Sequence, residues 1–317
     1  MSWYSLLFGG ILIASPFLCL SSSSWFIVWL ALELNMLCFI PCVWLKNNLT
    51  SNSLMKYFII QSFASSLFFM NLILMKNNFY YDFWSYMILA IMSIKLGLSP
   101  FHLWFPQVAE GLSWTGLFVL STWQKILPLY IMSMNFMGLY NIFVLASVFF
   151  GASGMLNQSS LRKLFAFSSI VHLSWIVYSL NENTYTWIAY LSLYSFILGG
   201  FCYMFESINI SSTSQMKFLP SFYTITLIIL TLSLSGLPPF LGFWAKWVVI
   251  MNTEFLNIFV LMFLISGSLI SCYIYTRMLW SSLMSKNSAT NYILTKQLSS
   301  IIILNSFGLI ILSPMII

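Results

Sequence analysis

Long apolar stretches separated by short polar connections fill almost the whole chain. Most of the stretches approach the roughly 20 residues that a helix needs to cross about 30 Å of hydrocarbon. They are continuous rather than alternating, which favours helices over the strands of a transmembrane barrel. The pattern predicts an all-α, multi-pass membrane protein with one membrane domain over residues 1–317. Its eleven helices are expected at residues 3–20, 25–45, 54–75, 83–108, 114–133, 139–157, 163–181, 185–206, 222–252, 255–280 and 298–317.

The composition leads to the same class of protein. Hydrophobic residues make up 60% of the chain and charged residues 6%, whereas a soluble domain carries about 25% charged residues. The net charge of +6 comes from scattered basic residues, so the sequence predicts no nucleic-acid binding. The cysteines lie in apolar stretches without metal-ligand spacing, which indicates buried thiols rather than disulfides or metal ligands. They are Cys19, Cys38, Cys42, Cys202 and Cys272.

The charged residues of the connections separate by side when eleven crossings are counted. Lys76 falls on one side, and the other basic residues of the connections fall on the side of the N-terminus. These are Lys46, Lys56, Arg162, Lys163, Lys217, Arg277, Lys286 and Lys296. The positive-inside rule therefore puts the N-terminus on the inner side of the membrane and the C-terminus on the outer side.

Four charged residues remain inside apolar segments: Glu33, Lys95, Lys125 and Lys246. A charge at the bilayer centre costs about 2.5–3.5 kcal/mol on insertion scales. The four are therefore expected to face a polar interior and to offset one another, as the groups of a proton relay do. Snorkelling toward the headgroups is the alternative for Glu33 and for Lys246.

The two histidines, His102 and His172, also lie in or near apolar segments. Each fits two interpretations equally well. One is a buried ring with its hydrogen bonds satisfied, and the other is a proton shuttle beside the lysines.

An internal repeat relates residues 97–105 (GLSPFHLWF) to residues 236–244 (GLPPFLGFW). Both copies put glycine and proline inside a long apolar segment, where proline breaks a helix. Lys95 precedes the first copy and Lys246 follows the second. Paired interrupted helices are typical of transporter repeats, so we expect two inverted repeats, over about 54–157 and 163–280. Two unrelated proline kinks are the alternative.

Four motifs carry a resemblance to a known family. They are IKLGLSPFHLW (94–104), WQK (123–125), GMLNQSSLRK (154–163) and LPPFLGFWAKW (237–247). Together they resemble the antiporter-like subunits of respiratory complex I, and the likeness extends over nearly the whole chain. The resemblance implies an antiporter-like fold that lacks three N-terminal helices of the larger members.

The resemblance also implies roles for single residues. Glu33 matches the acid that pairs with the first channel lysine, Lys95. Lys125 matches the central connecting lysine, and Lys246 matches the lysine of the second broken helix. The two remaining matches, His102 and His172, are polar positions along a hydrated axis.

The implied function is proton translocation across the mitochondrial inner membrane by a subunit of NADH:ubiquinone reductase. The N-terminus would then face the matrix and the C-terminus the intermembrane space. No cofactor is expected in this chain, because FMN, iron–sulfur clusters and ubiquinone belong elsewhere in the complex. Expected partners are neighbouring antiporter-like subunits, supernumerary subunits and lipids such as cardiolipin. A stand-alone cation/proton antiporter and a purely structural spacer subunit are the competing interpretations.

Overall fold

The computed structural model describes residues 3–75, 81–134, 140–180, 185–252 and 258–283. These ranges form α-helices joined by short connections, with one 3₁₀ helix at Thr213–Phe218 and no strand. The helices are α1 (Trp3–Ser21), α2 (Trp25–Val43), α3 (Asn48–Met75), α4 (Tyr81–Leu96), α5 (Trp104–Gly111), α6 (Trp114–Ser121), α7 (Trp123–Met134), α8 (Tyr140–Met155), α9 (Leu161–Leu180), α10 (Thr186–Ile208), α11 (Ser221–Ser235), α12 (Leu241–Met251) and α13 (Ile258–Leu283).

Five of the described helices are long and apolar enough to cross a membrane: α2, α3, α9, α10 and α13. Their outward surfaces carry large apolar side chains, such as Phe259 and Leu269 on α13, which are 73% and 65% exposed. Such surfaces suit hydrocarbon rather than water. The multi-pass, all-α character is confirmed. The last predicted helix (298–317) and the basic residues Lys76, Lys286 and Lys296 lie outside the described residues, so the count of eleven stays a prediction.

Helix α3 begins at Asn48, before the predicted start at residue 54. Its first turn is polar and is held by Thr50, whose hydroxyl donates to the carbonyls of Leu45 and Asn47 at 2.7 and 2.8 Å. Hydropathy marks the part of a helix that lies in hydrocarbon. It therefore misses helical turns made of polar residues.

The prediction of one uninterrupted helix over 114–133 is wrong, because α6 ends and α7 begins on either side of Thr122. The backbone of Thr122 is not helical (φ −120°, ψ −70°), and its hydroxyl donates to the carbonyl of Phe118 at 2.7 Å. Threonine competes in this way with the regular helical ladder. The break puts Lys125 in the first turn of a new helix rather than in the middle of a long one.

The first predicted break occurs between α4 and α5, where Gly97 adopts the left-handed conformation (φ +71°). The amide of Gly97 donates to the carbonyl of Ile94 at 3.2 Å, and the amide of Leu98 donates to that of Ser93 at 3.0 Å. This pair of bonds is a Schellman motif, which ends a helix and favours glycine because a Cβ is strained there.

The second predicted break, between α11 and α12, repeats the motif 139 residues further along, from Gly97 to Gly236. Gly236 has φ +81°, and its amide donates to the carbonyl of Ser233 at 3.1 Å. The amide of Leu237 donates to the carbonyl of Leu232 at 3.3 Å. The repeat in sequence is thus a repeat of hydrogen-bonded backbone geometry.

The chain divides into two compact units, one over residues 1–143 and one from residue 144 onward. In the first unit α3 packs against α2, α4 and α5, and α7 packs against α4 and α6. In the second unit α9 contacts α10, α12 and α13, and α11 contacts α10 and α13. Helix α9 is buried over almost its whole length. Two repeats over 54–157 and 163–280 within a single membrane domain stay a prediction.

We expect Gly236→Ala to destabilise the protein. A non-glycine residue in the left-handed region costs about 1–2 kcal/mol, and a Cβ at this position would lie 2.8 Å from Nζ of Lys246. The thermal unfolding midpoint of the purified protein in detergent should fall. Gly10→Ala in α1 is the control, because a Cβ there meets nothing within 4 Å. Equal midpoints for the two variants would contradict the assigned strain.

Candidate functional site

Lys95 lies in the last turn of α4, directly before the first break, and its side chain is 7% exposed. A cation is favourable at this end of a helix, because the backbone dipoles point their negative ends toward it. The final carbonyls of α4 have side-chain donors: Trp104 Nε1 donates to Ile94 at 3.1 Å, and Gln61 Nε2 donates to Lys95 itself at 3.1 Å. These two hydrogen bonds hold the last turn of α4, and with it the backbone of Lys95, in place.

Lys125 is 2% exposed and lies in the first turn of α7. Its ammonium is 4.9 Å from the centre of the Phe105 ring, a cation–π contact that stabilises a buried charge. The N-terminal end of a helix carries partial positive charge and opposes a cation. The helix ends thus favour a positive charge at Lys95 over one at Lys125.

Glu33 lies on α2 and is half-buried. It interacts electrostatically with Lys95, which is the lysine that the resemblance to the family pairs with it. The structure therefore brings Glu33, Lys95 and Lys125 into the same unit.

Lys95 and Lys125 line one common cavity of about 20 Å³. A cavity of about 10–15 Å³ already holds a water molecule if polar groups surround it. The remaining lining residues are Tyr57, Gln61, Leu96, Trp104, Phe105, Leu120 and Gln124. The space between the two lysines therefore fits a single bridging water.

A hydrogen-bonded chain of neutral side chains borders this cavity. The hydroxyl of Tyr57 donates to Oε1 of Gln124 at 3.1 Å, and Nε2 of Gln124 donates to Oδ1 of Asn35 at 3.1 Å. These residues and Gln61 were not predicted from the sequence. Each is an uncharged polar residue inside an apolar segment. Such a residue indicates a functional site less strongly than a charged residue does.

His102 lies in the loop of the first break and is 7% exposed. Its Nδ1 is 3.0 Å from the hydroxyl oxygen of Ser99. Among the described residues, the lining of the cavity between Lys95 and Lys125 does not include His102. The geometry therefore favours a histidine satisfied within its own loop, and a shuttle role for it stays a prediction.

Lys246 lies in α12 and is 7% exposed. Its Nζ donates to the carbonyl of Ser235 at 2.7 Å, which is the last residue of α11. The ammonium thus caps the end of the first half-helix across the second break. The ammonium is thus buried against the end of α11 rather than extended to the protein surface. Gly236 makes the approach feasible because it has no side chain.

His172 lies on α9 and is also 7% exposed. Its Nδ1 is 3.0 Å from the hydroxyl of Tyr190, and its ring lies 4.9 Å from the ring centre of Tyr194 at 36°. These two tyrosines were not predicted from the sequence, because aromatic residues are common throughout the apolar segments.

The predicted site residues thus divide between the units. Glu33, Lys95, His102 and Lys125 belong to the first, and the second contains His172 and Lys246. One ordered line through all four charges stays a prediction. Within the described ranges, no group of three His, Cys, Asp or Glu side chains could hold a metal ion.

Residues 22–271 match the family described as NADH:quinone oxidoreductase/Mrp antiporter, TM. NADH-ubiquinone oxidoreductase chain 2 of Anopheles gambiae is 38% identical over 325 residues, covering 95% of this chain and 95% of the relative. The protein of the same name from Aedes aegypti is 37% identical, over 91% of this chain and 89% of the relative.

Two solved structures share the fold at low sequence identity. A chain in respiratory complex I from Thermus thermophilus with bound aureothin has a TM-score of 0.84 and 19% identity, and the match covers 99% of this chain and 79% of that one. A chain of the archaeal membrane-bound sulfane sulfur reductase has a TM-score of 0.82 and 15% identity, covering 98% and 72%.

We expect Gln61→Leu to destabilise the end of α4. The change removes the donor to the buried carbonyl of Lys95, and an unsatisfied buried acceptor costs about 1–3 kcal/mol. The thermal unfolding midpoint measures the effect. Gln107→Leu is the control, because Gln107 is exposed and accepts its bond from Lys56 at 3.2 Å. A larger loss in the control than in Gln61→Leu would contradict the capping role.

Proposed function

Because the chain belongs to the NADH:quinone oxidoreductase/Mrp antiporter family, we propose that it is a membrane-arm subunit of a respiratory NADH:ubiquinone oxidoreductase and translocates protons. Relatives that are 33–38% identical over most of the chain carry the name of chain 2 of that enzyme. The observation that carries the proposal is the shared cavity between Lys95 and Lys125.

Two buried lysines beside one water-sized cavity suit proton exchange. Two ammonium groups in a low-dielectric site repel each other strongly, so the stable state has one charged and one neutral amine. A single water can accept a proton from the ammonium and give one to the neutral amine. Because no net charge is created, the pair can change its protonated member without charging a further buried group.

Glu33 sets which lysine carries the charge. Its carboxylate interacts with Lys95, and the end of α4 also favours a cation there. If the Glu33 charge is neutralised or moved by a neighbouring subunit, the preference for Lys95 weakens. The proton then passes toward Lys125, where the ring of Phe105 supports the charge.

Lys246 and His172 are the corresponding candidate proton-exchanging groups of the second unit. The Lys246 ammonium donates to the carbonyl of Ser235 at the second break. The sequence motif LPPFLGFWAKW (237–247) supports this role, because it resembles the second broken helix of the antiporter-like subunits.

The proposed setting is the mitochondrial inner membrane, with the N-terminus in the matrix. NADH oxidation and ubiquinone reduction, with their FMN and iron–sulfur clusters, belong to other subunits of the enzyme. Neighbouring antiporter-like subunits and supernumerary subunits are the protein partners.

A groove of about 490 Å³ in the second unit supports this orientation and a lipid partner. It contains Lys217 and Arg277, and Arg277 Nη2 donates to the carbonyl of Leu156 at 2.7 Å. The groove is lined by the segment after α8, the 3₁₀ helix and the last turns of α13. The pattern of basic residues in the sequence assigns all three to the side of the N-terminus. Basic pockets at the inner face suit anionic headgroups such as those of cardiolipin.

A stand-alone cation/proton antiporter is the second candidate, because the family also includes the Mrp antiporters. Purification from native membranes separates the two. Co-migration with NADH-oxidising subunits supports the oxidoreductase, and a solitary chain with transport activity would overturn it.

We expect Lys125→Met in the assembled oxidoreductase to lower the number of protons translocated per NADH. Methionine fills a similar volume but cannot carry a proton, so the exchange with Lys95 stops. The measurement is proton uptake by liposomes during NADH oxidation, with the assembled amount determined on native gels.

Lys46→Met is the matched control, because Lys46 is an exposed lysine. It should leave both assembly and the proton yield unchanged. Wild-type proton yield in a fully assembled Lys125→Met enzyme would defeat the relay and support a structural spacer.

A further inference from the structure

A separate cavity of about 340 Å³ lies in the first unit, at the ends of α1 and α7 and the start of α2. Its lining residues are Cys19, Ser22, Ser23, Ser24, Trp25, Val28, Tyr130, Ile131 and Met134. We call this space the α1–α7 cavity. The roles given above to Glu33, Lys95 and Lys125 do not use it.

Hydrogen bonds fix the walls of the α1–α7 cavity. Nε1 of Trp123 donates to the carbonyl of Leu12 at 2.9 Å and ties the start of α7 to α1. Cys19 follows Leu12, and Tyr130 follows Trp123, by the same number of residues, about two helical turns or roughly 10 Å. Both helices therefore reach the cavity at the same depth. The hydroxyl of Ser22 donates to the carbonyl of Cys19 at 2.8 Å and closes the end of α1.

The mouth of the α1–α7 cavity has the character of a membrane interface. Trp25 is 41% exposed, and its ring packs edge-on against the buried Phe68, with 6.5 Å between the centroids. Tyr130 is half-buried on α7. Tryptophan and tyrosine favour the depth at which hydrocarbon meets the headgroups. The surface beside the mouth carries Phe17 and Phe26, two large apolar side chains that are exposed. The cavity therefore opens onto lipid.

The rim of the α1–α7 cavity carries hydrogen-bonding groups that the protein leaves available. In the part of the chain that the structure describes, the hydroxyls of Ser23 and Tyr130 and the indole N–H of Trp25 have no hydrogen-bond partner. The hydroxyl of Ser24, the N-cap of α2, makes no bond to its own helix. Each of these groups can donate a hydrogen bond. A ligand that fits the rim therefore offers acceptor oxygens.

The floor of the α1–α7 cavity is apolar and uncharged. Val28 and Ile131 are buried there beside the thiol of Cys19. None of the lining residues carries a charge, in contrast to the basic groove at Lys217 and Arg277. Small-molecule sites are typically cavities of about 300–1,000 Å³ with a mostly apolar lining and a few polar groups. The α1–α7 cavity matches this description for an uncharged amphipathic ligand.

The volume of the cavity decides between the occupants that a membrane protein meets. One helical turn with its side chains is about 10–12 Å across and 5.4 Å long, and so fills more than about 400 Å³. A neighbouring transmembrane helix therefore does not fit. A methylene group takes about the same volume as a water molecule, ~30 Å³, so the cavity holds on the order of ten methylenes. This is a large part of one acyl chain.

We propose that the α1–α7 cavity binds one phospholipid with an uncharged or zwitterionic headgroup. One acyl chain lies against Val28, Ile131 and Met134, and the ester oxygens accept hydrogen bonds from the rim. The lipid thereby joins the connection between α1 and α2 to the end of α7, beyond the bond of Trp123. The proposal does not depend on proton translocation.

The test uses the protein in its native assembly, reconstituted in nanodiscs with a phosphatidylcholine that carries a photoreactive diazirine near the end of one acyl chain. One sample is irradiated directly and a second after a detergent wash that removes loosely held lipid, and mass spectrometry locates the crosslinks. Crosslinks to peptides that contain Cys19, Val28 or Tyr130 should survive the wash. Crosslinks to the exposed residues Phe259 and Leu269 of α13 should be lost.

Ser23→Trp puts a bulky side chain into the mouth of the cavity and breaks no existing bond of Ser23. The crosslinks that survive the wash should fall several-fold. Ser21→Trp is the matched control, because Ser21 is exposed and does not line the cavity in the described part of the chain. It should keep the wild-type yield. Tyr130→Phe removes one donor from the rim without adding bulk, and it should speed the loss of lipid during the wash.

Three results would each overturn the lipid site. The first is the absence of crosslinks to the lining peptides before the wash, which would mean that another group fills the cavity. The second is loss of these crosslinks as fast as those on α13, which would indicate bulk lipid only. The third is a wild-type yield after the wash in both Ser23→Trp and Tyr130→Phe. None of these results bears on Lys125→Met, so the proposed function stands or falls separately.

Discussion

A helix that is interrupted inside a membrane leaves backbone carbonyls that hydrocarbon cannot hydrate, and much of the site geometry follows from this constraint. Each unsatisfied backbone group costs several kcal/mol at that depth, so donors must come from side chains. At the first break the donors are Gln61 and Trp104. At the second break the donor is Lys246. The residues that stabilise the broken helices are therefore also the residues beside the proposed proton path.

The two breaks share their backbone geometry but differ in the charge of their donors. The first is capped by neutral groups, which leaves Lys95 available to interact with Glu33 and to line the cavity toward Lys125. The second is capped by an ammonium group, so loss of a proton from Lys246 weakens a bond that holds the end of α11. Loss of the Lys246 charge therefore changes the structure of the second break. At the first break, Gln61 and Trp104 keep their bonds to the end of α4 whether Lys95 is charged or neutral.

The sequence predicted the parts of this arrangement that depend on strong local signals. A lysine in an apolar segment is conspicuous, and the shared glycine and proline pattern located both breaks, since Gly97 and Gly236 end their helices in the same way. The interruption at Thr122 was missed because threonine is only a weak helix breaker and its effect depends on one side-chain bond.

The two tyrosines beside His172 were missed for a different reason. Tyrosine is frequent in this chain, with 16 copies, and the pattern along one helix does not reveal which tyrosines of α10 lie against His172 of α9. The same holds for Gln124, whose partners Tyr57 and Asn35 come from other helices. Contacts of this kind depend on tertiary packing. The start of α3 at Asn48 shows the converse, a local polar turn that hydropathy cannot distinguish from a loop.

The near-complete burial of α9 has a consequence for the biogenesis of the protein. Helix α9 has a mean hydropathy of 1.3, below the other four long apolar helices, and it carries His172 and several serines. Helix α8 precedes it and lies against Val171 and Phe167, but α10, α12 and α13, which also contact it, are synthesised after it. During insertion α9 therefore meets lipid with polar groups that only later helices will cover. In a chain that ends before α13, the part of this polar surface that α13 covers stays open to lipid.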